Sequence, residues 1–402
     1  MMDGVTEGSD EKTTAIVVPS QAPAAKVDVR PRVLLLGSGE LSRELTIALG
    51  RLGARVIAVD EQPDAPAHGV ADESVVIPMS DADQLAGVIR RLQPDFVVTA
   101  GDAVAVQALE GVGPGGPQLV PSARAVRLTA DREGLRRLAA DELGLPTAPF
   151  WFAGSVGELQ AVGAHAGYPL LVKPVAGAAP PGESVIAGPD DIEPVWQRVA
   201  GARQRVLAET VVEVEFYVTL LAVRSEGPDG LAIEFCSPIG HRGVNAEVQE
   251  SWQPQKVSTS ALDAARSIAA RIVKALGGRG VFGVELMING DEVYFADVTP
   301  HPPASAWVTA RSQRLSAFEL QARTILGLPV DTMMVSPGAA RAVDSVDQPT
   351  AAALNGALSV PESDLRSCGR GFHALATAPE VTAARDRASS VAARLTTKDS
   401  RG

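Results

Sequence analysis

Cysteine, histidine and net positive charge are all scarce in this chain, and each shortage closes off a class of function. Two cysteines, Cys236 and Cys368, among 402 residues give neither a disulfide framework nor zinc-ligand spacing. Both are expected to be reduced and buried or neutral. The five histidines, His68, His165, His241, His301 and His373, are scattered and form no His-x-x-x-His pair. Lys and Arg number 36 against 48 Asp and Glu, a net charge of −12. That balance disfavours nucleic acid and membrane surfaces as partners, but leaves room for an anionic ligand in a local basic pocket. No apolar run reaches the roughly 20 residues needed to cross a bilayer. Residues 1–30 open acidic, continue rich in Ala, Pro, Thr and Ser, and contain no signal-peptide core, so they are expected to be a disordered tail on a cytoplasmic chain. A Gly-x-Ser-x-Gly nucleophile turn is also missing.

What is present is apolar material, 46% of the residues, enough for two or three domains. Residues 33–36 are a continuous apolar run, as a buried parallel strand requires. Gly37-Ser38-Gly39 turns the chain, and Leu41, Leu45, Ala48 and Leu49 recur at helical spacing. Gly53 ends that helix, and residues 55–59 form a second strand finishing at Asp60. With a further strand at 96–99, residues 31–125 read as a small doubly wound parallel sheet. GSGELS has Ser42 where a dinucleotide fingerprint has its third glycine, so a plain strand-to-helix turn is an equally good reading.

From 126 to 330, helices alternate with antiparallel strands. A helix is expected over 131–143, ended by Gly144, with strands at 170–174, 206–209 and 217–223. Ser260 with Asp263 resembles a capping box for a helix over 262–276, closed by Gly277. Strands at 281–287 and 292–298 flank Asn289-Gly290, a hairpin signal. Residues 331–390 form a smaller C-terminal domain, with a tail at 391–402. The expected class is therefore α/β combined with α+β.

The chemistry-bearing residues sit in these strands. Lys173 ends a strand just before AGAAPPGE, where a lysine can reach a phosphate as a point charge. Glu209 at a strand end suits an adenine amine or a ribose hydroxyl. Glu285 and Asp297 lie in apolar strands of the hairpin, and buried acids need partners; Mg²⁺ is one answer. They share a face only in some registers. A three-residue loop over 289–291 pairs 285 with 295 and gives that result, so the odd loop is expected.

These stretches together resemble the formate-dependent phosphoribosylglycinamide formyltransferases, a family of the ATP-grasp superfamily. The resemblance runs from about residue 31 to 345 and is carried by RVLLLGSGELSRE, LTADREGLRRLAADELGLPT, GYPLLVKPV, SPIGHR, ESWQPQ and GVFGVEL. It implies an ATP-grasp fold with an N-terminal parallel-sheet domain and a small C-terminal domain, ATP and Mg²⁺ as cofactors, and a homodimer. Formate and glycinamide ribonucleotide are the implied substrates, joined through formyl phosphate in purine biosynthesis. It places Arg132 and Lys173 on the ATP phosphates, with Ala178, Ala179, Pro180, Pro181, Gly182 and Glu183 as the loop covering them. Glu209, Thr210, Val211, Val212 and Tyr217 would meet the adenine and ribose, and Glu285 and Asp297 the metal. Glu40, Leu41, Ala100 and Ala304 occupy the substrate positions. No residue is assigned as an acid, base or nucleophile.

The departures from the family pattern fall at the chemistry. The family's Ser-Ser-Gly-Lys-Gly loop is Ala-Ala-Pro-Pro-Gly here, and each proline removes an N–H donor. Ala100 and Ala304 replace acids, Tyr217 replaces a glutamate, and the C-terminal segment SCGRGFHALATA is shortened where the family has Gly-Lys-Pro and paired arginines, with Arg366 and Arg370 nearby. A weakened or altered formyltransferase is expected. The alternatives are a nucleotide-binding regulatory relative without turnover, or an ATP-grasp ligase for another carboxylate and amine.

Overall fold

The computed structural model describes residues 30–396, apart from 102–103, 176–182, 200–204, 228–229, 245–246, 345–348 and 370. Five parallel strands open it: β1 (Arg32–Leu36), β2 (Arg55–Asp60), β3 (Glu73–Val76), β4 (Phe96–Thr99) and β5 (Gln118–Val120), in the order β3-β2-β1-β4-β5. The VLLL run of β1 is fully buried because helices cover both faces of the sheet. Leu45, Ala48 and Leu49 of the helix Glu40–Arg51 pack on Val33 and Leu35, while Leu34 and Leu36 face Leu85, Val88 and Ile89 of the helix Ala82–Leu92. At the head of β1 the Ser38 N–H donates to the Asp60 carboxylate at 2.7 Å. Asp60 thus braces the glycine turn itself, which favours the plain strand-to-helix reading of GSGELS.

The second sheet is antiparallel: β6 (Phe150–Ala153), β7 (Leu170–Pro174), β8 (Ser184–Ile186) and β9 (Val206–Thr210), ordered β6-β9-β7-β8. The third holds nine strands: β10 (Phe216–Gly227), β11 (Gly230–Phe235), β12 (Ile239–Val244), β13 (Glu247–Gln253), β14 (Gly280–Asn289), β15 (Glu292–Thr299), β16 (Gly338–Asp344), β17 (Ser363–Cys368) and β18 (Gly371–Thr377). Their order is β15-β14-β10-β12-β13-β16-β18-β17, with β11 on β10. The C-terminal strands therefore continue the central sheet past β13 and make no sheet of their own. The helix Val381–Thr396 covers that extension through Ala384, Ala388, Val391 and Leu395.

The helix Thr259–Leu276 packs Ala265, Ile268, Ile272 and Leu276 on β10, β14 and β15. Each fully buried Ile or Leu there contributes about 1.5–3 kcal/mol. Its cap differs from expectation. Ser258, two residues before Ser260, accepts the Ala261 N–H, and Ser260 lies inside the first turn. The helix expected over 131–143 has Asp131 as its cap, starts at Arg132 and widens into a π turn at Leu138–Glu142 before Gly144. Among the described residues no helix is long and apolar enough to cross a membrane.

The β14–β15 hairpin corrects the expected loop. Asn289 pairs with Glu292, so the turn is the two residues Gly290-Asp291, not three. Gly290 takes φ +57°, which a tight turn requires and glycine adopts freely. From Met287 opposite Tyr294 and Leu286 opposite Phe295 the ladder is regular; then the register shifts, and Glu285 pairs with Asp297. A β-bulge at Ala296 absorbs the extra residue. The two acids share a face, as expected, through the bulge instead of through the loop.

Candidate functional site

Asp131 caps the short helix Arg132–Arg137 by accepting the Glu133 N–H. The helix places Arg132 and Arg136 four residues apart, on one face. Arg132 Nη1 donates to the Pro174 carbonyl on β7 at 2.8 Å. Arg136 is buried and reaches in two directions. It donates to the Phe295 and Ala296 carbonyls of β15 at 3.2 and 3.0 Å, and to Glu209 Oε1 of β9 at 2.5 Å. The other Glu209 oxygen meets Lys173 Nζ of β7 at 3.0 Å. Burial pushes the Lys173 amine down, but Glu209, Glu183 and Asp297 outweigh it, and the net shift is upward. Lys173 is a fixed cation, and Arg136 bolts the small sheet to the large one.

Arg132, Arg136, Lys173 and Asp297, with Leu135, Leu207 and Phe295, line one cleft. Burial raises the Asp297 carboxyl above the ordinary range, against the opposing pull of the Val298 N–H and of Lys173, Arg132 and Arg136. Across the bulge, Glu285 Oε1 accepts from Thr219 Oγ1 at 2.8 Å, and Oε2 lies 2.8 Å from His241 Nε2. Thr219 is in turn 2.7 Å from Ser305 Oγ. The strands set this up: Thr219 lies opposite Glu285 across β10 and β14, and Tyr217 lies opposite His241 across β10 and β12. Two carboxylates on one face, one of them destabilised as an anion by burial and the other oriented by neighbours, form an all-oxygen donor set that fits Mg²⁺.

The other expected ATP residues are distributed unevenly. Thr210 ends β9 and donates its N–H to Pro149; Val211 is half exposed beyond it, with Val212 next, and Tyr217 is half exposed on β10. Glu183 is exposed just before β8. Ala178, Ala179, Pro180, Pro181 and Gly182 lie outside the described residues.

A second cleft brings Leu41 and Ala100 together with Ser42, Thr99, His301, Phe318 and Gln321. Thr99 Oγ1 and Gln321 Nε2 are buried there with no hydrogen-bond partner among the described residues. The Glu40 carboxylate lies instead against Gly369 and close to Cys368 and His373. Ala304 is exposed at the start of the turn Ala304–Val308, outside the lining of that cleft.

Sequence reasoning missed Arg136 and Thr219. Arg136 had a local signal, its i+4 spacing from Arg132 on a capped helix. Thr219 had only its place as a hydroxyl in the apolar run YVTLLAV. His241, one of the scattered histidines, faces the Glu285 carboxylate.

The ATP-grasp domain family matches residues 138–318, and the ribonucleotide synthetase preATP-grasp domain family matches 31–130. A formate-dependent phosphoribosylglycinamide formyltransferase of Rhodococcus jostii (strain RHA1) is 45% identical over 381 residues, covering 90% of this chain and 94% of that protein. Among solved structures, the glycinamide-RNase-transformylase T of Mycobacterium tuberculosis is 66% identical, with a TM-score of 0.81, and covers 91% of this chain and all of the other. The N5-carboxyaminoimidazole ribonucleotide synthetase of Thermus thermophilus, at 24% identity and a TM-score of 0.79, covers 91% of this chain and 99% of the other and shares the fold.

Proposed function

The chain belongs to the formate-dependent phosphoribosylglycinamide formyltransferase family of the ATP-grasp superfamily, and on that premise we propose that it uses ATP to join formate to the amine of glycinamide ribonucleotide, a formylation of purine biosynthesis. The observation that carries this reading is the single cleft in which Lys173 and Arg132 stand opposite Asp297, with Glu285 paired beside it. A formate oxygen attacks the γ-phosphorus and ADP leaves. The amine nitrogen then attacks the formyl carbon, and phosphate leaves carrying the oxygen that formate supplied and taking up the proton the amine loses.

In such a transfer the protein mainly positions and neutralises. Lys173 and Arg132 hold phosphate oxygens. The 209–212 segment and Tyr217 border the adenine and ribose, and Arg136 holds Glu209 in place there. Glu285 and Asp297 would hold Mg²⁺, with Thr219 and His241 fixing the Glu285 carboxylate. Bound Mg²⁺ supplies charge neutralisation on the triphosphate. Leu41 and Ala100, which line the second cleft, border the ribonucleotide, with Glu40 beside Leu41. Domains at 31–125 and 126–330, with 331–390 as an extension of the second one's sheet, a cytoplasmic location and a homodimer complete the reading. Phosphate-side cations and paired acids retained together support turnover over a decayed scaffold.

The test is incubation of the full chain with ATP, Mg²⁺, formate and glycinamide ribonucleotide, with the formylated product measured by mass spectrometry. Product must depend on all four. Glu285→Gln and Asp297→Asn should each lower kcat on the order of a hundredfold or more, as loss of a preorganised charge contact does. Absence of product, or full activity in both variants, overturns the assignment.

A further inference from the structure

Outside the nucleotide cleft, the hairpin of β17 and β18 meets the start of the helix Glu40–Arg51. Cys368 pairs with Gly371 across that hairpin, and His373, two residues on, points to the same sheet face, within diagonal reach of Cys368. The Glu40 carboxylate comes over this face. A Cβ on Gly369 would sit 3.1 Å from Glu40 Oε1, so the turn at Gly369 (φ +23°) leaves room for the acid. Trp307 stacks on the His373 ring at 4.4 Å and 23°, which fixes the plane of the imidazole. One donor atom each from Glu40, Cys368 and His373 lies within 4.8 Å of the other two.

We propose that Glu40, Cys368 and His373 form a second cation site, selective for a zinc-type divalent ion and distinct from the all-oxygen pair Glu285 and Asp297. A thiol, an imidazole and a carboxylate are the donor set such ions take, and a hard cation such as Mg²⁺ is a poor match for the thiolate. Bonds of about 2.0–2.3 Å around a tetrahedral ion set donors roughly 3.5 Å apart, which side-chain adjustment reaches from donors already within 4.8 Å of one another. Cys368 loses its proton on binding. Three protein ligands leave one position open to water or to an incoming ligand. Glu40 is also a residue the functional reading places on the ribonucleotide. On that reading, cation and substrate compete for it, and zinc raises KM for the ribonucleotide without changing KM for ATP.

The experiment titrates the full chain, without substrates and with Mg²⁺ in excess, with Co²⁺. One equivalent should produce the thiolate-to-cobalt charge-transfer band and the visible bands of tetrahedral cobalt, and Zn²⁺ should abolish both. Cys236→Ser should keep the band, while Cys368→Ser and His373→Gln should lose it. Circular dichroism confirms folding of each variant. If Cys368→Ser fails to fold, Glu40→Gln should weaken cobalt binding in its place. No charge-transfer band, or a band lost with Cys236 instead of Cys368, overturns the site. Because the band is read without turnover, its failure leaves the formyltransferase reading standing, and failure of that reading leaves the band.

Discussion

Glu209 carries two loads in this structure. It lies where the adenine and ribose are expected, yet both its oxygens are already engaged by Arg136 and Lys173. Removing one member of a buried charge network leaves the others uncompensated, at a cost of about 3–5 kcal/mol. Glu209→Gln is therefore expected to lower the urea midpoint substantially, with ATP affinity falling as Lys173 loses its anchor. A change below about 1 kcal/mol would show that solvent reaches the network. Cys236 offers a pH-dependent check. Burial raises its thiol to about 12, with Glu234 adding to the rise and Gln313 opposing it. In the unfolded chain the thiol ionises near its ordinary value of 9.0. The folded thiol holds its proton above that value, so stability is intact below pH 9 and falls as pH rises toward 12. The full span is about 4 kcal/mol. Unfolding free energies of wild type and Cys236→Ala, compared from about pH 8 upward, should converge on this slope difference; parallel curves would contradict it.

At the scale of elements, the β14–β15 hairpin decides whether the site exists. Its strands were legible because apolar runs flank a glycine turn, and so was the need for both acids to face one side. The device that satisfies that need was not legible. The bulge at Ala296 leaves no local mark, since alanine suits a regular strand as well as a bulged one. Arg136 shows why the irregularity persists: its guanidinium collects the Phe295 and Ala296 carbonyls that the bulge turns toward it. The register of Glu285 and Asp297 thus depends on the bulge and little on the turn. Inserting one glycine between Gly290 and Asp291 should leave kcat and ATP affinity within about twofold of wild type, at a stability cost of about 1 kcal/mol or less. Loss of Mg²⁺-dependent ATP binding in that variant would assign the register to the turn.

Across the whole molecule, local periodicity carried the sequence reading furthest. The buried run of β1, the helix Glu40–Arg51 and the helix Thr259–Leu276 were all readable from spacing alone, because one apolar face must meet a core. Pairings between distant segments were not. Nothing in 338–344 announces that β16 joins β13, so the C-terminal part read as separate when its strands extend the central sheet. The same limit applies to the sites. Lys173, Glu285 and Asp297 stand out as charges in apolar strands, whereas the meeting of Glu40 with Cys368 and His373 arises only when that extension folds against the first helix.

The central claim is that this chain activates formate with ATP and passes the formyl group on. Oxygen-labelled formate tests it most directly. With ATP, Mg²⁺ and glycinamide ribonucleotide present, one labelled oxygen is predicted to appear in inorganic phosphate for each formylated product. Phosphate released without label would mean that water, not formate, attacks the γ-phosphorus, and would contradict the account.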